Sequence, residues 1–167
     1  MISERHRQLY QQHYKGRTVA PRPNPWLHVI ERLAREIEAR DILDYGCGIS
    51  RGVSRFSSYP VRDFDPGVPE CAAPPTAADF VVSIHALEHV EPDMIDAVLL
   101  HMQSLARKAI LLVVSCEAST KLLPDGSPWH SFVKPASWWH HYLTDYVPIP
   151  PKAARLGAEY AGIWRAA

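Results

Sequence analysis

The chain has 167 residues, of which 47% are apolar and 22% charged, the composition of an ordinary globular protein, and its length predicts a single domain over residues 1–167. Eighteen Lys and Arg residues balance eighteen Asp and Glu residues, and this zero net charge argues against broad electrostatic capture of nucleic acid. No apolar run is long enough to span a bilayer and no secretory signal opens the sequence, so we expect no membrane association.

Residues 2–15 are polar and aromatic and predict a short N-terminal helix that either packs late or covers a pocket, within a lead-in over residues 1–24. Several prolines then break the chain before a second helix that we expect to run to Arg40. Asn24 is its predicted cap and Pro25 lies in its first turn. Apolar residues recur through this helix at helical spacing, so one face should pack against a sheet.

The predicted fold is arranged around residues 41–50, which read DILDYGCGIS. A short apolar run reaches Asp44 and then turns through Gly46 and Gly48. This pattern is typical of a buried parallel strand followed by a glycine-rich turn and a helix, here near residues 50–57. The glycines let a ligand approach the backbone closely, and we expect outward-pointing amides at the start of that helix.

A second acidic residue, Asp65, stands 21 positions after Asp44, at the end of another strand-like run. In nucleotide-binding α/β folds, an acidic residue about this far along the chain accepts hydrogen bonds from ribose hydroxyls. Asp63 competes for that role, but the alternation of side chains along the strand favours Asp65. The third glycine of the dinucleotide fingerprint is missing, because Ser50 and Arg51 stand where it would be expected.

The segment between Asp65 and Asp79 is rich in proline and too short for a full helix and strand. The loop that follows the last predicted parallel strand is long enough to suggest a functional role. This loop and the helix after it, together residues 115–145, should cover the pocket. Trp138 and Trp139 are neighbours on that helix, so only one can face inward. The remaining predicted elements are a strand over 80–84, a helix opened by Pro92, a strand over 109–114, a long loop over 115–130, a short helix over 137–143 and two weak strands near the end.

These motifs resemble those of class I S-adenosylmethionine-dependent methyltransferases. Residues 41–48 are similar to the first motif of that family, and residues 78–90 (ADFVVSIHALEHV) are similar to its fourth-strand motif. The resemblance covers roughly residues 25–115. It implies an α/β fold, a Rossmann-like methyltransferase sheet with helices on both faces, in which the third-strand region is shortened. It also implies transfer of a methyl group from S-adenosylmethionine to a small-molecule or nucleic-acid acceptor by in-line displacement.

The resemblance implies roles for particular residues. Asp65 would accept hydrogen bonds from both ribose hydroxyls, and Asp44 would fix the turn and face the methionine end through water. His89 or His130 could act as the base if the acceptor is a protonated oxygen or nitrogen. We expect these two histidines to meet, since the fourth and fifth strands are neighbours in the methyltransferase order. The candidate cofactor-binding residues are Asp44, Gly46, Cys47, Gly48, Asp65 and His85.

Residues 85–89 (HALEH) also match the His-x-x-Glu-His motif of inverted zinc peptidases. That chemistry needs a sustained helix, whereas here a strand runs directly into His85. A subset of methyltransferases that modify the terminal ribose of small RNAs carries Glu-x-x-Glu-His and a later His, which together hold magnesium. By that resemblance, a histidine in place of one carboxylate suits zinc, manganese or iron better than magnesium. The candidate metal ligands are His85, Glu88, His89 and His130, and a bound divalent metal is an alternative rather than the expectation.

Two other classes of function stay open on the sequence. One is a non-catalytic S-adenosylmethionine-binding module, and the other is a metal-dependent hydrolase that uses His85, Glu88 and His89. The acceptor is not specified by these motifs, because acceptor choice lies in variable loops. Three separated cysteines without a Cys-x-x-Cys pair fit a cytoplasmic protein better than a disulfide framework.

Overall fold

A computed structural model describes residues 2–146, 152–155 and 158–165. Its helices are α1 (Glu4–Tyr14), α2 (Leu27–Glu36), α3 (Ile95–Leu105) and α4 (Ala136–Tyr146), and its strands are β1 (Ile42–Tyr45), β2 (Val61–Phe64), β3 (Ala78–Ile84), β4 (Ala106–Ser115), β5 (Lys152–Arg155) and β6 (Glu159–Arg165). The strands form one sheet in the order β2-β1-β3-β4-β6-β5. The first four are parallel, and β6 runs antiparallel to both β4 and β5. The direction of winding therefore reverses between β1 and β3, at the point where α/β sheets bind ligands.

Helices cover both faces of the sheet. Successive residues of a strand point to opposite faces, so each strand contributes side chains to two separate clusters. On one face, Ile42 and Phe80 pack in a cluster with Ile30 of α2. On the other face, their neighbours Leu43 and Val81 pack in a second cluster that includes residues of α3 and α4. The predicted α/β architecture is confirmed, and its central strands β1 and β3 are buried along their whole length.

The connection from β2 to β3 contains only a short 3₁₀ helix, Pro69–Cys71, and no strand. Its prolines remove backbone donors and fix the chain direction, so the segment folds back on itself instead of extending the sheet. The amide of Asp65 donates to the carbonyl of Cys71 at 3.0 Å. The shortened third-strand region is thus as predicted, and β2 lies at the edge of the sheet.

The helix predicted near residues 50–57 does not form. The segment makes only isolated turns, such as the hydrogen bond from the Arg55 amide to the Arg51 carbonyl at 3.1 Å. Gly52 and several serines have low helix propensity, and the Ser54 hydroxyl donates to Asp63 at 2.7 Å instead of leaving the backbone to a helix. The expected row of outward-pointing amides at a helix start is therefore wrong.

The end of α2 and the two neighbouring tryptophans of α4 can be compared with the predictions. α2 ends at Glu36 rather than Arg40, because Glu38 has a positive φ of 53° that interrupts the helix. In α4, Trp139 is fully buried whereas Trp138 is half-buried and stacks on Tyr142, so only one of the two indoles faces inward. Among the described residues, no helix has the combined length and apolar character needed to cross a membrane.

The amino-terminal edge of the sheet is closed by Asp79, whose side chain is 1% exposed. Its carboxylate accepts hydrogen bonds from Arg107 Nε at 2.7 Å and from the backbone amide and Nε of Arg40 at 3.0 and 3.2 Å. Burial acts to raise the pKa of Asp79, but the bonds from Arg107 and Arg40 outweigh it and hold the pKa well below the usual range. The start of β3 is thereby tied to β4 and to the segment before β1.

We expect Asp79→Asn to lower the free energy of unfolding at pH 7 by about 1–3 kcal/mol, because hydrogen bonds to charged groups are lost. The lower half of that range is favoured, since the arginines are themselves solvent-exposed and screened. The folded-state pKa lies below the unfolded value, so this contribution exists above about pH 4 and is lost as the pH falls further. Urea denaturation at pH 7 and at about pH 3 measures it.

The matched control is Glu36→Gln, which breaks the exposed Arg32–Glu36 pair, 3.8 Å apart, on α2. Such pairs contribute less than about 0.5 kcal/mol. Equal effects of the two substitutions at pH 7 would contradict a special role for Asp79.

Candidate functional site

A cavity of about 290 Å³ opens where β1, β2 and β3 end, at the carboxyl edge of the sheet. All six residues predicted to bind a cofactor line it, and so does His89. The N-terminal segment closes one side through Ile2, Tyr10 and Tyr14. The structure thus brings together side chains from four separate parts of the sequence at the winding reversal.

The glycine turn after β1 uses its two glycines in different ways. Gly46 has φ +86°, and a Cβ there would lie 2.4 Å from the Cβ of Ala86, so glycine is needed for packing against the segment after β3. Gly48 has φ +57°, and a Cβ there would meet no atom within 4 Å. Because Gly48 lines the cavity, its missing side chain leaves room for a ligand.

Asp65 is fixed by two backbone amides. Its Oδ2 accepts from the amide of Gly48 at 2.9 Å and its Oδ1 from the amide of Gly67 at 2.8 Å. Burial raises the pKa of Asp65, and these two amides oppose the rise. An ionised carboxylate has about four acceptor sites, so two are left for ligand hydroxyls. Asp63 bonds to Ser54 and does not line this cavity, which favours Asp65 for the predicted role.

Asp44 is buried, with 3% of its surface exposed, and lines the cavity. Burial, followed by the nearby charges of Asp63 and Asp65, raises its pKa well above the ordinary value. No ion pair to Asp44 is found among the described residues. A ligand with a positive charge would relieve this repulsion. Cys47 is buried beside it, and burial raises the pKa of its thiol, so it lies there as a small neutral group.

His89 is held by the backbone carbonyl of Trp129. Its Nδ1 lies 2.8 Å from that oxygen, which also accepts a hydrogen bond from the Tyr10 hydroxyl at 3.0 Å. Since a carbonyl can only accept, we assign the proton of His89 to Nδ1, and its Nε2 then carries a lone pair. Burial lowers the pKa of His89 to about 4. The ring is therefore a neutral base at ordinary pH.

His130 lies beside His89, as predicted, although the two are 41 positions apart in the sequence, but only His89 of this pair lines the cavity. Their ring centroids are 5.0 Å apart. One ligand atom from each, together with one oxygen of Glu88, lie within 4.8 Å of one another. Nδ1 of His130 lies 2.6 Å from the carbonyl of Glu117, so its Nε2 is also left unprotonated in the neutral ring.

Glu88 is 1% exposed. Neither of its carboxylate oxygens makes a hydrogen bond of ordinary geometry within the part of the chain described. Burial raises its pKa to about 8, although the amides of Glu88 and Ser115 lie near enough to oppose that rise. An acid of this kind is either protonated or compensated by a bound cation.

His85 does not join this cluster, so the predicted four-residue metal set is wrong in that member. Its backbone has φ 54°, which turns the chain at the end of β3, and its exposed ring places Nε2 3.1 Å from Oε1 of Glu159. Residues 87–89 form a single 3₁₀ turn. The sustained helix of a His-x-x-Glu-His peptidase is absent here, and the hydrolase that would use His85 with Glu88 and His89 loses its geometry.

The aromatic packing between α1 and the long loop was not predicted from the sequence. Trp129 packs against Tyr10 and His13 of α1, with ring centroids 5.0 and 4.3 Å apart, and also against His89 at 5.1 Å. His6 and Tyr10 share a face of α1 because they are four residues apart. That spacing could have predicted an aromatic face on α1, but no feature near Trp129 in the sequence identifies it as the residue that packs against this face.

The sequence matches no protein-family model and no curated protein, but solved structures resemble the fold. The DhpI-SAM-HEP complex aligns with 98% of this chain and 100% of that chain, at 18% identity and a TM-score of 0.58. An O-methyltransferase family protein from Burkholderia thailandensis aligns at 14% identity and a TM-score of 0.56, over 84% of this chain and 57% of its own. Magnesium protoporphyrin IX methyltransferase from Synechocystis PCC 6803, with bound SAM, aligns at 12% identity and a TM-score of 0.53, over 95% of this chain and 94% of its own. The chain has the fold of class I methyltransferases.

We expect His89 to remain neutral, with its proton on Nδ1, down to about pH 5, since burial lowers its pKa to about 4. Long-range ¹H–¹⁵N correlation spectra of metal-free protein report both the tautomer and the titration. Because the folded pKa lies below the unfolded value of about 6.5, protonation favours the unfolded chain as the pH falls below 6.5. Titration of His89 near pH 6.5, the value of an unperturbed imidazole, would contradict this assignment.

Proposed function

We propose that the protein binds S-adenosylmethionine in the cavity at the carboxyl edge and transfers its methyl group to an acceptor. One observation carries this proposal: Asp44, Gly46, Gly48 and Asp65, contributed by two parallel strands and the turns after them, converge on one cavity at the winding reversal. The likeness to methyltransferase structures supports it at the level of the fold. The acceptor is a small molecule or a nucleic-acid end.

The charges of the cavity suit this cofactor. Asp65 has acceptor capacity left after binding two amides, and in our proposal it accepts hydrogen bonds from both ribose hydroxyls. Asp44 faces the methionine end, where the positive ammonium and sulfonium groups offset a buried carboxylate. Gly48 leaves the space that the cofactor occupies. His85 also lines the cavity, and its ring contacts Glu159.

When bound, S-adenosylmethionine supplies a methyl group on a good sulfonium leaving group. The chain then has to hold the acceptor in line with that methyl, which is the main source of rate acceleration in such a site. His89 lines the same cavity and has an unprotonated Nε2, so it can accept a proton from an acceptor oxygen or nitrogen. His130 lies behind it, and in this proposal serves as a second base or as a metal ligand.

Gly48→Ala should weaken binding of S-adenosylmethionine and S-adenosylhomocysteine by at least about tenfold, because the added methyl group enters the cavity. Gly126→Ala is the matched control. Gly126 also has a positive φ, +84°, and a Cβ there would meet no atom within 4 Å, but it lies in a loop that does not line the cavity. Both variants carry the backbone strain of alanine at positive φ, so calorimetry isolates the effect on binding.

Equal affinities of the two variants would show that the turn does not cradle this ligand. A cofactor that binds but donates no labelled methyl group to small-molecule or nucleic-acid acceptors would instead favour the non-catalytic binding module. Metal uptake without any cofactor affinity would favour the metal-dependent hydrolase class, now limited to Glu88, His89 and His130.

A second candidate property rests on the cluster of Glu88, His89 and His130. We infer that it can bind a divalent cation such as manganese, iron or zinc, since two imidazoles and one carboxylate form a familiar ligand set for these metals. A backbone carbonyl holds Nδ1 of each histidine, as in metal sites where the second ring nitrogen is fixed by a carbonyl. A cation would also compensate the buried Glu88 carboxylate.

Manganese binding, followed by electron paramagnetic resonance, tests this site. His130→Gln should weaken it at least about tenfold, in line with the effect of disturbing metal-site residues. The matched control is His141→Gln, which alters an exposed histidine of α4 outside the cluster. Identical manganese affinities for the two variants would rule the cluster out as a cation site.

A further inference from the structure

A second group of metal-ligating side chains lies on the other side of the glycine turn. Cys47 stands within the turn after β1, Asp63 belongs to β2, and Cys71 ends the 3₁₀ helix that follows. The loop after β2 returns Cys71 to this place, because its amide donates to Val68 and its carbonyl accepts from Asp65. One ligand atom from each of Cys47, Asp63 and Cys71 lies within 4.8 Å of the other two.

The chemistry of the three side chains fits a thiophilic cation. Both cysteines are free thiols and buried, with 7% and 6% of their surfaces exposed. Asp63 uses Oδ2 to accept from Ser54, while its Oδ1 is buried and has no partner among the described residues. Ligands around zinc lie roughly 3–4 Å apart, so small side-chain rotations would bring these atoms to one centre. Ser54 would then orient the carboxylate from behind.

Two of the three ligands are reached from a surface groove. This groove, of about 360 Å³, is lined by Asp63 and Cys71, and also by Arg51 and Arg62. Neutral buried thiols are poor nucleophiles, whereas a divalent metal would ionise both and release two protons.

We propose that Cys47, Asp63 and Cys71 bind a thiophilic divalent cation, zinc by preference, which joins the glycine turn to the loop after the edge strand β2. The ion would connect these two segments at a side of β2 where the described residues provide no further strand. Three protein ligands leave the fourth position of a tetrahedral site to water or another donor. The site is distinct from the cluster of Glu88, His89 and His130. The proposal does not depend on the identity of the ligand in the main cavity.

The test uses reduced, chelator-treated protein that carries His130→Gln, which removes one ligand of the other candidate cation site. Into this background we place Cys71→Ser, or Cys116→Ser as the matched control, because Cys116 is a free cysteine outside the cluster. Titration with cobalt(II) should give a thiolate-to-metal charge-transfer band in the parent and the control. Zinc should bind at one equivalent with release of protons, and Cys71→Ser should weaken it at least about tenfold.

Asp63→Asn in the same background keeps both thiols and should also weaken zinc binding, which guards against a folding defect in the serine variant. Zinc should raise the melting temperature of the parent and the control, but not that of Cys71→Ser. Equal zinc affinity in Cys71→Ser and Cys116→Ser, or no charge-transfer band in the parent, would overturn the proposal. So would a Cys47–Cys71 disulfide in air with no metal uptake by the reduced protein. Calorimetry with S-adenosylhomocysteine on the same samples tests the proposed function separately.

Discussion

The carboxylate of Asp65 is the interaction on which the shape of the site depends. It accepts a hydrogen bond from the amide of Gly48, in the turn after β1, and another from the amide of Gly67, in the loop after β2. One side chain therefore connects this turn and this loop, which lie beyond the paired residues of the two strands. β2 is a four-residue edge strand, and the described residues supply no neighbouring strand that could brace the loop. A hydrogen-bonded acid braces the loop instead, and it does so while facing the cavity.

The acidic side chains at the two edges of the sheet differ in whether they form ion pairs. At the amino-terminal edge, Asp79 and Asp41 are paired with arginines that also reach solvent. At the carboxyl edge, Asp44, Asp65 and Glu88 have no ion pair with lysine or arginine in the described part of the chain. Their pKa values are raised, mainly by burial. The acids at the amino-terminal edge are therefore held ionised by arginines, whereas burial favours the protonated form of the acids at the carboxyl edge unless a cation binds beside them.

Sequence patterns predicted the parts of this structure that depend on local periodicity and on parallel-strand geometry. The apolar runs gave β3 and β4, and the meeting of His89 with His130 followed because parallel strands end at one edge. The predicted helix after the glycine turn does not form, since the Ser54 hydroxyl donates a hydrogen bond to Asp63 on β2. The prediction of His85 as a metal ligand failed because its ring contacts Glu159, 74 positions away in the sequence. Both errors come from side-chain contacts that local periodicity does not report.

The carbonyl of Trp129 accepts hydrogen bonds from Tyr10 of α1 and from His89, while His6 of the same helix contacts the His89 carbonyl at 2.9 Å. The helix that closes the cavity and the base within it are thus anchored to the same few atoms. A displacement of α1 would therefore remove two of the contacts that hold the segment of His89. The position of the imidazole and the closure of the cavity by α1 are coupled through these backbone carbonyls.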